Sequence, residues 1–193
     1  MGLFSFFSRK KKNQASHVDQ SDQSDQSSST RQRVEPTPVK VWHHSLASLT
    51  IVTHPLGETP GTILERPFLY SSLTSIARAI SHMHQEPENS SSLFFESAQI
   101  LTSKAAAEDL SLAHHEIVGL TFDPALGYSA RMSADGKKFT ILYGQAAPVA
   151  RASTPFHSDI TEAVQSSIGQ GETFVLAIDG IAYAHLRFTS ELQ

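Results

Sequence analysis

Apolar side chains recur at Leu69, Leu73, Ile76, Ala77, Ile80 and Met83, three and four residues apart, as on one face of a helix. With Ser71 or Ser72 as a start signal, this pattern predicts a helix from Ser72 to His84. Ser97 to His114 is Ala-rich and reads as a second helix, with apolar positions spread around its wheel. Leu49 to Thr53 alternates Thr with aliphatics and predicts a strand, which His54-Pro55 and Gly57 to Gly61 then break. A further strand is expected near Ile117.

The second half of the chain carries two hairpin signals. Tyr128 to Ser133 and Lys138 to Tyr143 flank Asp135-Gly136, a pair suited to the positive backbone angles of a two-residue turn. Folding about that turn sets Tyr128 against Tyr143, Ala130 against Ile141 and Met132 against Phe139. Ser129, Arg131, Ser133, Lys138 and Thr140 fall on the other face, so a one-residue slip would expose the aromatics. Asp179-Gly180 marks the second turn, setting Ile178 against Ile181, Leu176 against Tyr183 and Phe174 against His185. Val175, Ala177, Ala182 and Ala184 then form a flat apolar opposite side that suits a close helix, so this hairpin belongs in the middle of the sheet. The expected cover is a helix opened by Ser158 or Asp159 with Glu162 completing a capping box, a stripe of Ile160, Ala163, Val164 and Ile168, and Gly169 at its end. The prediction is an α+β domain over residues 39–193, a mostly antiparallel sheet of five to seven strands with two or three packing helices.

Upstream the pattern is different. At 100° per residue Leu3, Phe4, Phe6 and Phe7 fall within an arc of roughly 160°, and the basic run Arg9, Lys10, Lys11, Lys12 follows directly. Residues 1–12 therefore read as a basic amphipathic tip, too short to span a bilayer, which needs about 20 apolar residues. A secretory signal has its charges before its apolar stretch, the reverse of this order. The myristoylation pattern is broken by Phe6 at the position where it needs Ser or Thr. An interfacial role fits: the four apolar side chains enter the headgroup region and the bases meet anionic lipid. In general character the tip resembles the short amphipathic membrane-targeting ends of bacterial peripheral proteins, which implies reversible attachment to a membrane surface. A targeting or solubilising end and a nucleic-acid patch are the alternatives.

Residues 13–38 repeat Asp-Gln-Ser three times between Asp19 and Ser27 and end in Glu35-Pro36-Thr37-Pro38. With Val18 and Val34 its only large aliphatics, this stretch cannot build a core and reads as a disordered Ser/Gln/Asp-rich linker. As a flexible coil it would hold its ends about 25–30 Å apart.

Composition sharpens this division. The chain has 193 residues, no cysteine and a formal charge of −4. Up to Lys40 there are seven Lys/Arg against four acids, +3; the remainder carries eight against 15, −7. Absence of cysteine removes disulfide scaffolds, thiolate metal sites and thiol enzymes, and suits a reducing compartment. The domain's acidity disfavours nucleic acid, whose affinity comes mainly from phosphate neutralisation.

Ten histidines invite a metal reading, but His82 and His84 would point about 200° apart on a helix and His114 and His115 about 100°. Neither spacing places two ligands on one helix face. No metal site or cofactor is predicted; His43, His44, His54, His114 and His115 are the candidate ligands should they converge in space. The sequence has no Gly-x-Ser-x-Gly, Walker loop or Gly-x-Gly-x-x-Gly, and catalytic residues are not assignable beyond a generic His157, Asp159 and distant Ser grouping. Trp42 reads as a core residue pinning the first folded segment, with a binding anchor as the alternative.

The expected function is that of a non-enzymatic cytoplasmic protein-binding or regulatory module, an adaptor peripherally tethered to an anionic membrane through Leu3, Phe4, Phe6, Phe7 and Arg9 to Lys12. Its protein partner is unspecified and an oligomer is open. The alternatives are a small hydrolase, a histidine-ligated metalloenzyme, or a secreted bacterial effector with an N-terminal export signal.

Overall fold

A computed structural model describes residues 41–53, 64–86, 92–153 and 157–192. The expectations for the tip (1–12), the linker (13–38), His54 and the Gly57–Gly61 break lie outside these residues. Along the chain run β1 (Trp42–Ile51), α1 (Arg66–Met83), α2 (Leu93–Ala107), β2 (Glu116–Asp123), β3 (Gly127–Ala134) and β4 (Lys137–Gln145). They are followed by α3 (Ala146–Ala152), α4 (Ser158–Ser166), β5 (Glu172–Ile178) and β6 (Ile181–Leu192). Among the described residues the six strands form one antiparallel sheet in the order β1-β6-β5-β4-β3-β2, within the expected α+β class, and four helices cover it.

The sheet buries a different set of side chains on each face. Tyr128, Met132, Ile141, Phe174, Leu176, Leu186 and Phe188 pack with Leu69, Leu73, Ile76, Ile80 and Leu101 of the α1–α2 pair. On the opposite face Val175, Ala177 and Ala182 meet Val149 of α3 and Ile160 of α4. The small side chains of β5 and β6 let these two short helices lie close, as the flat face of the second hairpin predicts.

The β3–β4 hairpin has the expected register: Tyr128 pairs with Tyr143, Ala130 with Ile141 and Met132 with Phe139. Asp135 and Gly136 take φ of 50° and 72°, as the mirror-image turn requires. The β5–β6 hairpin departs from expectation after its first residues. Ile178 pairs with Ile181, but a bulge on β6 sets Leu176 against Ala184 and Phe174 against Leu186, instead of Tyr183 and His185. The extra residue is Tyr183, whose carbonyl accepts from Val52 N–H at 2.8 Å. Beyond the bulge the faces exchange, so Ala184 joins the α1–α2 side while His185 turns to Ser167 after α4 (3.1 Å).

Helix boundaries also differ from those the sequence pattern predicts. α1 begins six residues earlier than the serine signal implied, because Pro67 sits in the first turn, where its missing N–H costs nothing. Ser71 and Ser72 lie inside the helix and donate to the carbonyls of Pro67 and Phe68 (2.8 and 2.9 Å). α2 starts at Leu93, capped by Ser92, and stops at Ala107 instead of His114. Asp109 adopts φ 55°, and the N–H groups of Asp109 and Leu110 return to Ala106 and Ala105, a helix stop of the kind glycine usually makes. The freed segment 108–115 runs along a serine stripe of α1: Ala113 N–H donates to Ser71 (3.0 Å) and His115 N–H to Ser75 (3.2 Å). α4 is capped by His157, whose Nδ1 accepts from Asp159 N–H at 3.2 Å, in place of Ser158 or Asp159. Ile168 falls beyond that helix and is 75% exposed, so it leaves the predicted stripe. β1 extends to Trp42, well before Leu49. Trp42, expected in the core, is 53% exposed at the end of that strand opposite Leu192.

Candidate functional site

At one end of the sheet the first turn of α2, the β2–β3 turn, the end of β4 and the start of β5 surround a cleft of about 370 Å³. Its position is set by local chemistry at each edge. Gln85 takes φ 54° and Glu86 N–H returns to Ser81 carbonyl at 3.1 Å, ending α1 so that Glu86 stands at the cleft. The Ser92 hydroxyl donates to the Glu86 carboxylate and accepts from Phe95 N–H (3.3 Å), fixing the first turn of α2 and with it Phe94. Asp123 Oδ1 accepts from Ala125 N–H at 2.7 Å, an Asx turn that presents Pro124, Ala125 and Leu126 as the opposite wall.

The floor is backbone. Gly127 and Gly144 face one another across β3 and β4 so closely that a Cβ on Gly127 would lie 2.7 Å from Gly144 Cα, and one on Gly144 2.7 Å from the Leu126 carbonyl oxygen. Gly127 also holds φ 102°, a conformation that disfavours any side chain.

Four rings line the space. Phe94 meets Tyr128 edge-on at 5.4 Å and Phe174 at 5.8 Å, and Phe122 lies 4.8 Å from Tyr128. Phe122 is 54% exposed and Leu126 41%, so one wall remains in water. The Tyr128 hydroxyl bonds His84 Nε2 at 2.7 Å; burial, and then the charge of Glu86, push its pKa above the usual phenol value. Glu86 and Glu172 contribute carboxylates, and among the described lining residues none is lysine or arginine. A neighbouring hollow of about 460 Å³ near α3 and α4 shares Phe174 and Glu172 with the cleft, and its remaining lining, Ala146, Val164, Ser167 and Ile168 among it, adds no further ring.

The candidate histidines go elsewhere. His43 and His44 sit at the start of β1 beside Glu96, which accepts from His44 N–H at 2.6 Å and lies 3.6 Å from His43 Nδ1. His115 is buried, bonded to Ser72 at 3.1 Å and packed on Phe68 at 4.5 Å. Burial holds its pKa below the usual imidazole value. His114 is exposed. Among the described residues no group of three or more His, Asp or Glu side chains is placed to hold a metal ion. His157 and Asp159 meet in the α4 cap, a structural contact.

The sequence carries one signal of the cleft. Folding about Asp135-Gly136 pairs Gly127 with Gly144 immediately outside the Tyr128–Tyr143 pair, and two glycines facing across a hairpin mark a close backbone approach. Phe94, Phe122 and Phe174 carried no comparable mark, since aromatic residues serve cores equally well.

The chain matches no family model and no curated protein. Among solved structures it is similar to the N-domain of HMA6, a copper-transporting P-type ATPase, at 16% identity and a TM-score of 0.43, over 76% of this chain and 99% of that one. It is also similar to a zinc-transporting PIB-type ATPase, at 10% identity and a TM-score of 0.44, over 78% of this chain and 20% of the transporter's length. At this degree of overlap neither likeness says anything about activity. Among the described residues no helix is long and apolar enough to cross a membrane.

Proposed function

We propose that this chain is a non-enzymatic, cytoplasmic protein-binding module whose folded domain receives a partner at the aromatic cleft and whose N-terminus attaches it peripherally to an anionic membrane. The observation that carries the binding role is the cleft itself: a backbone-floored hollow walled by Phe94, Phe122, Tyr128 and Phe174, with Phe122 and Leu126 left half in water. Exposed apolar walls around a concave site are stabilised when a partner covers them. Membrane attachment is supported by the sequence alone. Leu3, Phe4, Phe6 and Phe7 supply apolar contacts, and Arg9, Lys10, Lys11 and Lys12 supply four positive charges with no acid among residues 1–12. Absence of cysteine agrees with a reducing compartment.

Sedimentation with phosphatidylserine-containing vesicles tests the attachment. The intact chain should pellet with the vesicles at low salt and be released at high salt, whereas a form lacking residues 1–12 should stay in the supernatant. Equal behaviour of the two forms would remove the tip from the reading.

A further inference from the structure

We infer that the cleft receives the lysine or arginine side chain of a partner protein, an inference that rests on the binding role proposed above and names its chemistry. Three features of the site point the same way.

The lining combines four aromatic rings with two carboxylates, Glu86 and Glu172, and no lysine or arginine among its described residues. A neutral partner covering this surface would remove water from around the two glutamates and supply no countercharge, which is costly. An anionic partner would add repulsion. A cation supplies the missing countercharge and is itself attracted to ring faces within about 6 Å. The rings of Phe94, Phe122, Tyr128 and Phe174 pack directly on one another, with centroids 4.8 to 5.8 Å apart, so they form one continuous aromatic wall against which a cation at the cleft surface can lie.

The cleft's shape favours a side chain over a free small cation. With Phe122 54% and Leu126 41% exposed, a small ligand would leave one wall wet. A basic side chain lays its aliphatic stem on such a wall, and the protein surface carrying it closes over Phe122 and Leu126. The site's electrostatics are also prearranged. Glu86 is oriented by the Ser92 hydroxyl, which the α2 cap holds in turn, and the Tyr128 hydroxyl is engaged by His84. Fixing the acceptor in advance reduces the ordering cost of binding.

The test is titration of the isotope-labelled full chain with acetyl-Ala-Leu-Arg-Ala-amide, following the backbone amides of Gly127, Tyr128 and Gly144 by NMR. The arginine peptide should shift these amides saturably. Its Arg→Gln counterpart should bind at least about tenfold more weakly, and the Arg→Glu counterpart not measurably. Glu172→Gln, at an exposed strand end, should weaken the arginine peptide several-fold while leaving the spectrum folded. If the glutamine peptide binds as well as the arginine peptide, the cationic occupant is refuted while the binding role stands. If butylammonium binds as tightly as the arginine peptide, a free amine replaces the protein side chain and the inference fails. If no peptide moves the cleft amides, the inference and the cleft's binding role both fall.

Discussion

Gly127 and Gly144 provide a graded test of the backbone contact on which the cleft stands. Three alanine substitutions separate two physical effects. Gly136 holds φ 72° with nothing within 4 Å of an added Cβ, so Gly136→Ala meets only left-handed strain, about 1–2 kcal/mol. Gly144 has no positive φ but its Cβ would fall 2.7 Å from Leu126 carbonyl oxygen and 2.9 Å from Gly127 Cα, so Gly144→Ala meets only crowding, about 1–3 kcal/mol. Gly127 suffers both: φ 102°, and contacts of 2.7 Å to Gly144 Cα and 2.8 Å to Tyr143 carbonyl oxygen. The obstructing atoms are backbone in a paired strand, with no flexible side chain to swing aside. Gly127→Ala should therefore cost about 3–4 kcal/mol, lowering Tm by roughly 6–15 °C for a domain of this size. Urea unfolding followed by circular dichroism gives the midpoints, with m-values expected to remain unchanged. Because the two methyls intrude on one interface, the double substitution should cost less than the sum of the singles. A Gly127→Ala protein no less stable than Gly136→Ala would refute the close approach and with it the floor of the cleft.

Two further predictions concern titrating groups. The Glu108 carboxylate accepts from Arg66 Nε at 2.7 Å and Nη2 at 3.1 Å, and from the Tyr70 hydroxyl at 2.8 Å, tying the end of α2 to the start of α1. These bonds, arginine's first, hold its pKa at about 2. Its contribution to stability is complete above the ordinary carboxylate range and is lost as pH falls from there through about 2. Glu108→Gln should cost about 1–2 kcal/mol at pH 7, discounted for partial solvent exposure, and should flatten the acid limb of a urea-midpoint profile below about pH 4.5. An unchanged limb would refute it. His185 is buried, with Nδ1 lacking a partner among the described groups; burial first, then the Arg187 charge, keeps its pKa below the free value. The unfolded chain takes up this proton first as pH falls through about 6.5, so stability declines from there toward the folded pKa. His185→Leu leaves the Ser167 hydroxyl its bond to the Val164 carbonyl at 2.9 Å and should reduce the stability slope below about pH 6.5. An undiminished slope in unfolding titrations would assign that uptake elsewhere.

Much of the architecture was legible in the chain. Strict alternation about Asp135-Gly136 specified every pair of the β3–β4 hairpin, because a two-fold pattern beside a two-residue turn admits one register that buries Tyr128, Met132, Phe139 and Tyr143. Elements ended by unusual residues were legible only in part. Asp109 and Gln85 stop helices at positive φ where glycine is the usual signal. The Tyr183 bulge reversed the faces of Ala184 and His185, and the Tyr183 carbonyl there accepts from the Val52 amide, distant in sequence. Alternation alone carries no trace of that bond.

The sequence by itself determined the α+β class, the two hairpin turns and the charge contrast between residues 1–40 and the rest of the chain, since each is written in local period and composition. Tertiary structure alone decided the serine stripe of α1 that anchors segment 108–115, the turning of the β6 faces, and the cleft. Glu86, Phe94, Phe122, Tyr128 and Phe174 come from five separate parts of the chain, and each is, by residue type, an ordinary core or surface residue. Whether an aromatic ring ends in the core or on a cleft wall depends on what packs over it. That is set by the chain's path in three dimensions.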